Sequence, residues 1–174
     1  MIRSTYEMQV IEMVLTLQKI LVAIDRSSIG ENVFQEALSL AKGLNAQMML
    51  LHVLSPEESA CPKILPSTSL VGGYTELTTF TIEHFRQEWE QYARDGLELL
   101  QTRVSEASAA GVKAQSHQAI GSPGPTICDF AATWNADTIV MGRRGLSELS
   151  EFFMGSVSNY VFHRARCSVW IVRT

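Results

Sequence analysis

Short apolar runs return along this chain at intervals too long for hairpins. They are "ILVAID" (20–25), "AQMMLLHVL" (46–54), "ADTIVMG" (136–142) and "CSVWIVR" (167–173). Each is too short for a buried helix and too continuously apolar for a strand with one wet face, so each reads as a strand covered on both faces. A weaker, alternating run, "VKAQSHQAI" (112–120), reads as a strand nearer a sheet edge. Helical patterns fill the gaps. In "RSSIGENVFQEALSLAKG" (26–43), Ser28 and Glu31 form a capping-box pattern, Val33, Phe34, Ala37, Leu38 and Ala41 make an apolar stripe, and Gly43 reads as the stop. The longest helix is expected over Thr81 to Ala110, with Ile82, Phe85, Trp89, Tyr92, Leu99, Leu100 and Val104 on one face and Gly111 ending it. "GSPGPTICDFAATWN" (121–135) is a helix capped by Ser122 with Pro123 at its first position, and "GSVSNYVFHRAR" (155–166) is the last helix. The order β-α-β-α-β-α-β-α-β predicts an α/β fold: an open five-stranded parallel sheet with helices on both faces.

A length of 174 residues suits one domain, expected over 17–174, with 1–16 an extension ahead of the first strand. Glu7, Glu12, Gln18, Lys19 and Asp25 interrupt the greasy start, and it lacks a small-residue cleavage site, so neither a membrane span nor a secretory signal is expected. Prolines, glycines and hydroxyls mark roughly 55–79 as a long loop, either a surface excursion or a lid. A net charge of −4 offers no electrostatic footprint for nucleic acid and argues against anionic membrane. Cys61, Cys128 and Cys167 are odd in number and far apart, which excludes a disulfide framework and a zinc motif and fits a reducing, cytoplasmic setting. His52, His84, His117 and His163 are equally scattered, and each reads as a surface or satisfied core residue.

In an open parallel sheet, ligands bind beyond the carboxyl ends of the strands where strand order reverses. Asp25 and Gly142 stand at matching places, just past two of the most apolar strands. From Gly142 the text runs "GRRGLSELSEFFMGS": Gly142, Gly145 after two residues, then nine residues to Gly155-Ser156. Such spacing gives a turn whose backbone can lie bare against a ligand, followed by a helix start with unpaired N–H groups and the positive dipole end, a place suited to phosphate. Arg143 and Arg144 add charge. The spacing is neither the Walker loop nor the dinucleotide fingerprint.

With these residues the chain resembles the ATP-binding subgroup of the universal stress protein family, whose pattern G-x2-G-x9-G-[ST] is met at Gly142, Gly145, Gly155 and Ser156. The resemblance extends through "KILVAID", "LLHVL", "GSP", "ADTIVMG" and "CSVWIVR". It implies a Rossmann-like sheet of order 3-2-1-4-5, with Asp25 beside the nucleoside and its magnesium and Val53 beside adenine. It further implies Gly142 and Gly145 along ribose and the first phosphates, Gly155, Ser156 and Val157 toward the terminal ones, and Ala23 and Ile120 as walls. Arg143 and Arg144 depart from the small or polar residues usual there; they either strengthen phosphate binding or occupy the empty site. The turn after Asp25 is longer than the common form, which leaves the contacts of Ser27 and Ser28 open.

The resemblance implies an ATP-binding regulatory protein, with magnesium, in which the nucleotide tunes a homodimer formed through Ser168 to Val172 and its binding of a regulatory partner. Two alternatives stand beside it. One is a slow ATPase or phosphotransferase, for which no evident base lies near the motif. The other is an interaction module that binds no nucleotide, its glycines serving only as turns.

Overall fold

The computed structural model describes residues 17–58, 60–63, 74–143 and 155–173, the side chains of 74–81 excepted. Five strands, β1 (Lys19–Ala23), β2 (Gln47–Leu54), β3 (Ala114–Ile120), β4 (Thr138–Gly142) and β5 (Ser168–Val172), alternate with four helices. The helices are α1 (Ser28–Leu44), α2 (Tyr74–Ala109), α3 (Pro123–Trp134) and α4 (Ser156–Arg164). All strand pairs are parallel and the sheet order is β3-β2-β1-β4-β5, as the resemblance implied. Strand order therefore reverses between β1 and β4. Ala23, the last residue of β1, lies level with Leu51 on one side and Met141 on the other, so β2 runs on past it to Leu54 and β4 to Gly142.

Alternating side chains divide the apolar residues into two layers. Ile20, Val22, Met48, Leu50 and Val140 point to one face, where Val33, Phe34, Ala37 and Ala41 of α1 and Leu100 and Ala107 of α2 cover them. Leu21, Met49, Leu51, Ile139 and Met141 point to the other, against Ile127 and Ala131 of α3 and Val161 of α4. Phe34 is fully buried, worth about 1.5–3 kcal/mol by transfer, and the Arg103 guanidinium lies 5.1 Å from its ring centre. Among the described residues no helix is long and apolar enough to cross a membrane.

Local endings differ from expectation in three places. Ser27, not Ser28, is the N-cap of α1, and its hydroxyl is turned to Asp25 instead of capping the helix. Gly43 lies inside α1; the chain turns at Asn45, in the left-handed region at φ 52°, which a short amide side chain tolerates. Helix α2 begins at Tyr74 rather than Thr81, and Ile82 is 68% exposed instead of joining the apolar face. Further along, the exposed Arg86 pairs with Glu83 and Glu90, one turn away on either side.

Candidate functional site

Beyond Ala23 the chain keeps one more sheet contact, the Ile24 amide donating to the Leu51 carbonyl at 3.0 Å, and then releases Asp25. Oδ1 of Asp25 accepts from the Ser27 amide at 3.0 Å and from the Ser27 hydroxyl. Two glycines set this corner, Gly142 of the motif and Gly30, which the sequence reading passed over. At Gly30 an added Cβ would stand 2.4 Å from the Asp25 carbonyl oxygen, so only glycine lets the first turn of α1 close on Asp25. At Gly142 it would stand 2.5 Å from Ile29 Cγ2 and 3.2 Å from Val33 Cγ2. The bare backbone of Gly142 is thus already in use by α1.

Gly155 is the N-cap of α4, extended at φ −61° and ψ 157°, and no side chain caps the helix. Its carbonyl takes the Asn159 amide at 2.9 Å and the Ser158 hydroxyl at 3.0 Å, while the N–H groups of the first turn have no intrahelical acceptor. Asp25, Gly142 and this helix start border one cavity of about 310 Å³. That is the small end of the roughly 300–1,000 Å³ usual for small-molecule sites. Its apolar wall draws on both core layers: Ile24 and Val33 from one, Leu51, Val53, Ile127 and Met141 from the other.

Of the residues singled out from sequence, Ala23, Asp25, Val53, Gly142, Gly155, Ser156 and Val157 line this cavity. Arg143 does not; its amide donates to the Val172 carbonyl at 3.0 Å, tying the exit of β4 to β5. Ile120 is no wall of it, being 72% exposed at the end of β3. Arg144 and Gly145 lie outside the described residues.

The structure adds Ser55, Glu57 and Glu58, from the turn after β2, to the cavity wall. Glu58 is buried and hydrogen-bonded to three other parts of the chain. Its Oε2 accepts from the Tyr92 hydroxyl and from His52 Nε2 at 3.2 Å, and its Oε1 from the Arg26 amide at 3.4 Å. The Tyr92 oxygen in turn accepts the Ser55 amide at 3.2 Å. Gln118, level with His52 in the sheet, donates to the Ala93 carbonyl at 3.1 Å and to His52 Nδ1 at 3.3 Å, which leaves Nε2 as the donor toward Glu58. Burial pushes the Glu58 carboxyl up, but the His52 and Tyr92 hydrogen bonds, the His52 field and the Arg26 amide outweigh it and hold the group below its usual value. Burial and the bond to Glu58 push the Tyr92 phenol up in turn. No sequence spacing announces this cluster: Glu58 and Tyr92 are 34 residues apart, Gln118 and His52 are 66.

Among the described residues no group of three or more His, Cys, Asp or Glu side chains could hold a metal ion. Asp25 alone suits magnesium only in the manner usual for that ion, through one or two carboxylates with phosphates and water completing the shell. The thiols are pushed up, chiefly by burial, so none stands as a thiolate nucleophile.

A parallel sheet with a cavity at its switch point defines an open α/β domain of the doubly wound kind. The universal stress protein family model matches residues 16–173. The chain is 37% identical over 155 residues to universal stress protein Sll1388 of Synechocystis, covering 89% of this chain and 97% of that one. It is 33% identical over 156 residues to universal stress protein YxiE of Bacillus subtilis, covering 89% and 98%. Among solved structures, hypothetical protein MJ0577 superposes with a TM-score of 0.68 at 21% identity, over 92% of this chain and 98% of that one. A universal stress protein in complex with cAMP gives 0.61 at 20% identity, over 92% and 99%. One from Archaeoglobus fulgidus in complex with dAMP gives 0.52 at 19%, over 90% and 98%. The chain belongs to the universal stress protein family.

Proposed function

We propose that this protein is a nucleotide-binding regulator that takes an adenine nucleotide, ATP with magnesium, in the cavity at the carboxyl ends of β1 and β4. The observation that carries this reading is the uncapped start of α4 at Gly155-Ser156, which borders the same cavity as Asp25 and Gly142. Exposed N–H groups and the positive dipole end suit phosphate, and Val53, Ile127 and Leu51 offer an apolar slot for a base. Solved family members in complex with cAMP and dAMP support an adenine nucleotide in this fold. Occupancy then tunes a homodimer paired through Ser168–Val172, or its binding of a partner. Turnover is the weaker reading, because both ring nitrogens of His52, the nearest imidazole in sequence to Val53, are engaged in the core.

Thermal unfolding of nucleotide-stripped protein tests this. At 100 times its dissociation constant a ligand adds about 2.7 kcal/mol, worth several degrees in a domain of this size. ATP with magnesium is expected to raise the midpoint by that much, and Gly145→Val to abolish the rise. An unchanged midpoint with stripping verified would leave an interaction module that binds no nucleotide.

A further inference from the structure

Glu58 has no part in the nucleotide reading drawn from sequence, yet it borders the cavity with a side chain only 7% exposed. A carboxylate offers about four acceptor positions. Two donors, Tyr92 and His52, converge on Oε2, while among the described residues Oε1 receives only the longer contact from the Arg26 amide. The group therefore has acceptor capacity left and little water to fill it. With Glu57 beside it, it makes one stretch of the wall acidic, while the start of α4 makes another stretch a set of donors. A phosphate is repelled from the first and held by the second. An amine or hydroxyl has the opposite preference.

We propose that Glu58 is a specificity-determining residue, whose carboxylate accepts a hydrogen bond from a donor on the neutral nucleoside part of the ligand and thereby turns the phosphates toward α4. The donor is an exocyclic amine of the base or a sugar hydroxyl, and His52 and Tyr92 act as positioning residues behind it. This rests on the nucleotide reading above.

Calorimetric titration of the full chain with three magnesium complexes tests it: ATP, 2′,3′-dideoxy-ATP, which lacks the sugar hydroxyls, and the triphosphate of purine riboside, which lacks the amine. A hydrogen bond to a charged group is worth about tenfold or more. Wild-type protein should lose about tenfold or more on one analogue, which tells which donor is read. In Glu58→Gln the same ratio should shrink below about threefold while the variant still binds ATP. Should that variant fail to fold, Tyr92→Phe keeps the buried ring but frees one anchor of Glu58, and the ratio should fall there as well. Less than about twofold loss on both analogues in wild-type protein overturns the assignment, as does an undiminished ratio in a folded variant. Failure of all three ligands to bind wild-type protein overturns the nucleotide reading itself and this assignment with it.

Discussion

A Cβ at Gly142 would press on Ile29 of α1, and both atoms belong to well-packed elements, so Gly142→Ala is expected to destabilise by about 1–3 kcal/mol without any ligand present. Chemical denaturation in an Ile29→Ala background checks the cause: there the added cost should fall to roughly half a kcal/mol or less, because the colliding methyl is gone. A loss of ATP binding in Gly142→Ala alone would therefore not identify a ligand contact. Glu58 makes the second residue-scale prediction. Its folded carboxyl, facing His52, Tyr92 and the Arg26 amide, titrates below the ordinary value of 4.5. The unfolded chain thus takes up the proton first as pH falls. The contribution to stability is complete above 4.5 and is lost as pH drops through the depressed folded value. Stability measured against pH should show a shallower acid decline in Glu58→Gln than in wild type.

The elements end on local chemistry. Asn45 and Asn135 close α1 and α3 at φ 52° and 55°. Replacing either by alanine should lower stability by about 1 kcal/mol, whereas glycine should be nearly neutral, both read from denaturant midpoints. At this scale the sequence was legible wherever burial is two-sided. The strand runs at Ile20, Met48 and Ile139 stand out because both faces demand apolar residues. It was less legible where partners come from elsewhere. Ser28 resembles a cap, but Asp25 draws the hydroxyl of Ser27 and the helix starts on that bond. The start of α2 at Tyr74 was missed because the proline-, glycine- and hydroxyl-rich text leading up to Thr79 reads as loop. Asp25, Gly142 and Gly155 were readable because each follows a strand or precedes a helix. Glu58 was not, since its meaning depends on His52, Tyr92 and Gln118, which only the parallel sheet and α2 bring together.

Over the whole molecule, β5 closes one side of the sheet, bonded to β4, with Trp170 49% exposed. A second copy pairing along this edge would satisfy its open ladder. Light scattering at micromolar concentration is expected to report twice the chain mass, and a single chain mass would refute the homodimer. The bond from Arg143 to Val172 gives the site a direct backbone link to that edge. The cavity wall carries a further consequence. The sheet keeps two oily layers apart, and at the site Val33 on one side and Leu51, Ile127 and Met141 on the other reach a common space. A molecule seated there becomes a plug shared by both halves of the interior, brought in after synthesis instead of encoded. How firmly the halves hold together would then follow the supply of that molecule, and the fold itself would serve as the gauge.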